Sequence, residues 1–285
     1  MELSYKEKLE AILEKIEEAD AVVIGGASGM SAACGFDYYN HSPFFEQYFS
    51  DFGDIYNEPS CWKLLYHRYK SHEERWAYMA RSGCVMLDLP AGKTYTDLFK
   101  LTKAKDYYII TTNQDAQFAK VFDPERIFTI QGDAHWMQCS NRCHDKIYPS
   151  DEILHKLNAA IEDGKLPSEL VPKCPVCGDV MEPWVKSYIF HYCSQWNREQ
   201  DKYNKYLIEH QNQKLVFLAL GIGSMTPEFI KHPFMNMTYQ LPDASMVILN
   251  KGEDPVPMEI RDKTICIDGD ILKTLEDLVN REKNM

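Results

Sequence analysis

What the chain lacks narrows its class. No apolar run in its 285 residues approaches the roughly 18 to 20 residues of a membrane-spanning helix, so no helical span is expected. The opening Met1-Glu2-Leu3-Ser4-Tyr5-Lys6-Glu7-Lys8 lacks the basic-then-apolar order of a secretion signal, and a cytoplasmic location is the expectation. Positive charge is short as well: 31 Lys and Arg stand against 43 Asp and Glu, a formal net charge of −12. Phosphate backbones demand concentrated Lys and Arg, so nucleic acid is not an expected partner, while a local basic patch around a phosphate-bearing cofactor remains compatible with that total. No internal repeat or low-complexity tract occurs. Nine cysteines are an odd count, and in a cytosolic chain they suggest metal ligands and buried thiols before disulfides.

What is present is ordinary globular material, 45% hydrophobic and 26% charged, in a chain long enough to bury a large core. Residues 4–19 predict an amphipathic helix, with Ser4 and Glu7 as a capping box and Leu9, Ile12, Leu13 and Ile16 on one face. Short apolar runs at 21–24, 107–111, 127–130, 215–220, 246–249 and 264–267 predict buried parallel strands. Ile271, Leu272, Leu275, Leu278 and Val279 form a C-terminal helix face, and Thr226-Pro227 marks a further helix start with Thr226 as its cap. Strands interleaved with helical patterns predict an α/β fold with a doubly wound, Rossmann-like parallel sheet. Two stretches interrupt it: 37–105, aromatic and helical in pattern, and 136–187, which carries four cysteines.

Three segments carry chemistry. Gly25-Gly26-Ala27-Ser28-Gly29-Met30-Ser31 follows the first strand, and glycines there let backbone N–H groups approach a phosphate. The pattern is G-x-x-x-G rather than the dinucleotide G-x-G-x-x-G, and a plain tight turn is the alternative. Thr111-Thr112-Asn113-Gln114-Asp115 leaves the carboxyl end of a strand, where open α/β sheets place ligands; Asn and Asp also simply terminate strands. Ile130-Gln131-Gly132-Asp133 closes the next strand. Beyond it, Cys139-x3-Cys143 and Cys174-x2-Cys177 read as a four-thiolate structural zinc site, with His144 and His135 as substitute ligands and a set of reduced thiols as the alternative. Cys34, Cys61, Cys84, Cys193 and Cys266 are scattered and read mostly as small buried apolar residues.

In order and spacing these segments resemble the sirtuins, α/β enzymes that cleave NAD. Gly25 to Ser31 is similar to the family's G-A-G-[IV]-S loop with one residue added, and Thr111, Asn113 and Asp115 match its T-Q-N-I-D motif while Thr112 and Gln114 depart from it. Asp37-Tyr38-Tyr39 stands where sirtuins continue with Pro-Asp-Phe-Arg. Gly221-Ile222-Gly223 resembles a later cofactor loop, Asn250 the asparagine at the adenosine ribose, and Asp270 the terminal turn near the adenine. The resemblance implies a Rossmann-like NAD-binding domain from 1–36, 106–135 and 188–285, a helical module with cofactor-binding loop at 37–105, and a small zinc-binding domain at 136–187. Asn113 would hold the nicotinamide ribose, and Asp115 would fix the nicotinamide end; Thr112 and Gln131 would join the cofactor contacts.

Gln131 stands where sirtuins carry a histidine general base. A carboxamide takes up no proton near neutral pH, and loss of a positioned base costs about 10² to 10⁴ in rate. Cleaving the nicotinamide bond needs orientation and charge stabilisation instead. Asparagine kept and histidine replaced by glutamine resembles the microbial class M sirtuins linked to macrodomain proteins. That implies protein mono-ADP-ribosylation, with a small acidic or lipoylated carrier of the glycine-cleavage-H type as acceptor and a macrodomain ADP-ribosyl hydrolase as functional partner. An NAD-dependent deacylase and a catalytically inactive NAD or ADP-ribose sensor are the alternative readings. His191 is the histidine to inspect as a displaced base.

Overall fold

The structure, a computed structural model, describes residues 3–252 and 255–283. Helix α1 (Tyr5–Glu18) begins at the expected capping box: Ser4 accepts from the Glu7 N–H, and the Glu7 carboxylate accepts from the Ser4 N–H at 2.7 Å. Then follow β1 (Ala21–Gly26), α2 (Ser28–Ala33), α3 (Pro43–Tyr56), α4 (Cys61–Leu65), α5 (His72–Asp88) and α6 (Lys93–Thr102). Next come β2 (Asp106–Thr111), β3 (Ile127–Thr129), β4 (Gly132–Cys139), β5 (Tyr148–Pro149), α7 (Asp151–Ala159) and β6 (Met181–Val185). The chain ends through α8 (Ser194–His210), β7 (Leu215–Leu220), α9 (Lys231–Gln240), β8 (Ser245–Asn250), β9 (Thr264–Asp268) and α10 (Ile271–Glu282).

Six strands form a parallel sheet in the order β3-β2-β1-β7-β8-β9. Strand order reverses between β1 and β7, which is the switch point at which such sheets bind ligands beyond their carboxyl ends. Alternation along the strands sorts side chains to two faces. Val22, Ile24, Ile109, Leu218 and Leu249 pack against α1, α6 and α10, whereas Val23, Tyr108, Phe217 and Ile248 pack against α8 and α9.

A three-stranded antiparallel sheet, β5-β4-β6, stands apart. Its Met137, Cys139 and Met181 share a core with Phe49 and Phe52 of α3 and Trp76 and Tyr78 of α5. The helices α3–α5 and the cysteine-bearing segment therefore bury one another, while α6 gives Tyr95, Leu98 and Leu101 to the large sheet. Thr226-Pro227 does not open a long helix. Pro227–Phe229 is a single 3-10 turn without a side-chain cap, Ile230 leaves helical geometry at φ −132°, and α9 starts only at Lys231.

Candidate functional site

The switch point is closed by glycines. A Cβ on Gly29 would lie 2.6 Å from Gly221 Cα, and one on Gly221, at φ +64°, would lie 2.6 Å from the Met30 nitrogen. The first turn of α2 and the loop after β7 therefore lie backbone to backbone, tied by the Gly29 N–H donating to the Gly221 carbonyl at 3.1 Å. Gly25 and Gly26 belong to β1 itself, pressed against Ile230 and Phe118 respectively.

Beyond these strand ends lies a cavity of about 550 Å³. Ala27, Ser28, Thr112, Asn113, Asp115, Gln131 and Gly223 line it. Of the other expected cofactor contacts, Met30 and Ser31 are buried beneath it, and Ile222 is buried beside it with its carbonyl accepting from Asn250 Nδ2 at 3.3 Å. Asp270 sits away from the cavity, where its carboxylate caps α10 through the Lys273 N–H.

The floor is one buried hydrogen-bond network. Thr111 Oγ1 donates to the Gly26 carbonyl at 2.9 Å and accepts the Asn113 N–H at 3.0 Å. Asn113 Nδ2 donates to Tyr95 Oη at 2.9 Å and lies 3.2 Å from the Ala27 carbonyl. Ser31 Oγ pairs with Tyr95 Oη at 2.7 Å and donates to Asp115 Oδ2 at 2.6 Å. Burial pushes the Asp115 carboxyl above its ordinary range, against the opposing pull of Ser31 and the Gln117 N–H. Burial and the nearby Asp115 likewise raise the Tyr95 hydroxyl well above a free tyrosine. Both groups are thereby favoured in their neutral forms.

Gln131 occupies the turn between β3 and β4. Gly132 follows at φ +80°, where a Cβ would meet the Trp184 carbonyl at 2.0 Å, so no other residue fits this corner. The Lys186 N–H donates to the Gln131 carbonyl at 2.8 Å, which leaves the carboxamide at the cavity wall. No histidine lines the cavity among the described residues. His191 is held elsewhere: its N–H donates to Gln138 Oε1 at 2.9 Å and its ring lies 3.6 Å from Asp145.

The roof comes from the 37–105 segment, expected as a helical module with a cofactor-binding loop. Tyr39 stacks on Trp62 at 4.9 Å between ring centroids, and Trp62 packs on Tyr66 at 4.5 Å. Tyr38 also lines the cavity, and its buried hydroxyl has no hydrogen-bond partner. Tyr95 and Tyr38 are the residues most plainly missed. At a helix's buried position and in an aromatic-rich loop, nothing local separates them from core.

The four sulfurs of Cys139, Cys143, Cys174 and Cys177 lie within 4.8 Å of one another. Cys139 and Cys177 are 3.6 Å apart and Cys143 and Cys174 are 3.7 Å apart. Zinc–sulfur bonds of about 2.3 Å at tetrahedral angles place sulfurs about 3.8 Å apart, so the cluster fits a closed structural zinc site. Gly178, at φ +75°, turns the second pair so that its N–H donates to the Cys174 carbonyl at 2.9 Å. His144 lies 3.0 Å from the Cys143 sulfur, but His135 is not near: its Nδ1 pairs with Asp133 at 3.2 Å.

No protein-family model matches the chain. It is similar to two proteins of known name. One, from Staphylococcus aureus strain Mu50, is called a protein ADP-ribosyltransferase and is 36% identical over 266 residues, covering 92% of this chain and 84% of that one. Another, from Fusarium oxysporum f. sp. cubense, bears the name "Probable bifunctional ADP-ribose hydrolase/ADP-ribosyltransferase" and is 28% identical over 283 residues; the chain spans 45% of its length. Among solved structures, Sir2Tm bound to a propionylated peptide superposes at a TM-score of 0.63 with 18% identity, over 98% of this chain and 100% of that one. Sir2 with a p53 peptide and NAD+ superposes at 0.64 with 18% identity, over 97% and 99%.

Fold and cavity together define a sirtuin-like α/β protein with an appended four-cysteine module. Within that architecture the chain belongs to the family of the staphylococcal protein ADP-ribosyltransferase.

Proposed function

We propose that the protein transfers a single ADP-ribosyl group from NAD to a small carrier protein, as a member of the macrodomain-linked class M sirtuins. The observation that carries this reading is the cavity itself: an Asn113–Tyr95–Ser31–Asp115 floor with Gln131 at its wall and no histidine among the described lining residues. NAD supplies an ADP-ribose whose bond to nicotinamide breaks. Asn113 would hold the ribose, and Asp115, kept in place by Ser31, would fix the nicotinamide end. Gln131 donates and accepts hydrogen bonds without taking up a proton, so it orients hydroxyls and supplies no base. The floor is preorganised by bonds already made within the protein, which favours catalysis by positioning.

A second cleft of about 720 Å³ shares Tyr66, Val185 and Lys186 with the cavity. Arg68, Lys70, Arg75 and Lys186 line it, with Glu182 the one carboxylate among the described lining residues, already paired to Arg75 at 2.8 Å. In a chain of net charge −12 that local excess of cations favours an acidic acceptor, consistent with a lipoylated glycine-cleavage-H-like carrier. The Fusarium relative's name joins hydrolase and transferase in one protein, which supports a macrodomain ADP-ribosyl hydrolase as functional counterpart. Zinc on the four cysteines would be structural, and a cytoplasmic setting suits its reduced thiols.

Incubation with labelled NAD and a lipoylated carrier tests the proposal. Labelled carrier is expected, and Asn113→Ala or Gln131→Ala should lower the rate by about 100-fold or more with unchanged circular dichroism. Full activity in both variants would remove the site assignment. Formation of O-acyl-ADP-ribose from an acylated peptide would instead favour deacylation.

A further inference from the structure

Behind one wall of the cavity lies a cluster that none of this chemistry uses. Helix α5 runs between the cavity and α7. Ser82 and Met86, one turn apart, line the cavity, while Cys84 and Asp88, also one turn apart, lie on the opposite face. The Cys84 sulfur is 3.1 Å from His155 Nδ1 of α7 and 3.7 Å from Asp88 Oδ2. His155 Nε2 and Asp88 Oδ1 are 3.3 Å apart. The helices come this close because Gly83 offers no side chain to Leu154; a Cβ there would lie 2.9 Å from its methyl carbons.

We infer that Cys84, Asp88 and His155 form a second metal site, one that takes a divalent transition cation of the zinc type. The ligand atoms lie within 4.8 Å of one another. Zinc bonds of about 2.3 Å to sulfur and about 2.0 to 2.1 Å to nitrogen or oxygen set such atoms about 3.5 Å apart, between the 3.1 Å and 3.7 Å seen here. Sulfur, imidazole nitrogen and carboxylate oxygen are the donors zinc takes. Three protein ligands leave a coordination position for water, so the centre is of the exchangeable kind and unlike the closed four-cysteine cluster.

The other chemistry for this trio is a thiol nucleophile with a histidine base. Cys84 is only 5% exposed and is roofed by the His155 ring, so a substrate carbonyl has no approach. A bare cation does, since the side chains of His155 and Asp88 are 56% and 61% exposed. Nearby cations do not compete. Arg81 is committed to Asn158 and Asp51, and Lys120 donates to the carbonyls of Met86, Leu87 and Leu89. Binding replaces the thiol proton, which leaves to solvent, and joins α5 to α7.

Protein holding one zinc per chain, its weaker metal removed by dialysis, is titrated with cobalt(II) to test the site, because thiolate-bound cobalt absorbs in the near ultraviolet. One further cobalt–thiolate centre per chain is expected. Cys84→Ser should abolish it, and His155→Ala and Asp88→Asn, both at exposed positions, should weaken it at least tenfold while the zinc content stays constant. Absence of the band in the one-zinc protein, its survival in Cys84→Ser, or its indifference to both surface variants would each overturn the assignment.

Discussion

The floor of the cavity, at the ends of β1 and β2, binds Ser31, Tyr95, Asn113 and Asp115 into one hydrogen-bonded network, whereas its roof, between residues 38 and 66, is a run of aromatic rings in contact, one pair stacked and one tilted. Floor groups satisfy one another and are fixed by backbone contacts that only glycine permits. Roof groups meet through non-directional ring contacts, and the Tyr38 hydroxyl is buried without a partner. The difference assigns separate duties. A satisfied polar network holds reacting groups to one geometry, while aromatic surface with a spare donor is suited to recognising what enters.

The strongest way to break this pairing is to deny the four cysteines the zinc that their geometry fits. Those residues tether β4 and β6, and β6 anchors α5 through Trp76 Nε1 donating to the Met181 carbonyl at 2.8 Å and Arg75 meeting Glu182. Structural zinc contributes folding free energy outright. Chelation, or Cys177→Ser, is therefore expected to split thermal unfolding into two transitions, the lower one belonging to α3–α5 and their shared core. The parallel sheet should keep its own transition. A single unshifted transition would show that the cluster does not support the roof.

Next in size comes damage to the floor alone. Gly221→Ala forces a Cβ to 2.6 Å from the Met30 nitrogen in the left-handed region at φ +64°. That backbone conformation costs about 1–2 kcal/mol for a non-glycine residue, and overpacking adds about 1–3 kcal/mol. Urea unfolding should report a loss in the range of about 2–5 kcal/mol. Gly223→Ala is the internal control, since a Cβ there meets nothing within 4 Å; equal losses in both variants would refute the close-approach account.

How far the sequence discloses this molecule follows the same division. The six strands and the capping box at Ser4 are legible because each is set by residues within a few positions of one another. The cysteine pairs are legible for the same reason, with the knuckle at Gly178 turning them together. Asn113 and Asp115 stand at strand ends, so topology alone delivers them to the switch point. Tyr95 is different. It lies on the buried stripe of α6 with Leu98 and Leu101, and only tertiary packing brings its hydroxyl to Ser31 and Asn113. Trp62 and the Cys84–His155 pair are likewise products of helix packing across long separations, with no local period to announce them. Thr226-Pro227 shows the reverse failure. The local start signal is present, but Ile230, fully buried against the sheet core, takes a non-helical conformation that ends the turn.

A milder change sharpens the roof's side of the comparison. Trp62→Ala removes the ring that both Tyr39 and Tyr66 contact, and each aromatic pair contributes about 0.5–1.5 kcal/mol beyond its area. If the roof recognises and the floor reacts, KM for NAD should rise about tenfold, the equivalent of about 1.4 kcal/mol, with kcat changed less than about twofold. Steady-state nicotinamide release separates the two constants. A fall in kcat at constant KM would place Trp62 with the floor.

The smallest effect, and the one most specific to the floor, concerns Asp115. Burial raises its carboxyl above the ordinary value of 3.8, so the folded state holds the proton more readily than the unfolded chain. A shift of that sign favours folding most below the ordinary value, and the advantage is lost as pH rises through the folded value. Above the folded value the ionised Asp115 is then a cost carried by the fold. Asp115→Asn cannot ionise and retains an oxygen able to accept from Ser31. Its stability relative to the unaltered protein should match at acid pH, grow as pH rises through the folded value, and level off above it, as read from urea unfolding along a pH series. Transfer of ADP-ribose should be lost in the same variant. A gain in stability that shrinks with rising pH would mean that the network favours the carboxylate, and that Ser31 and the Gln117 N–H outweigh burial at the centre of the floor.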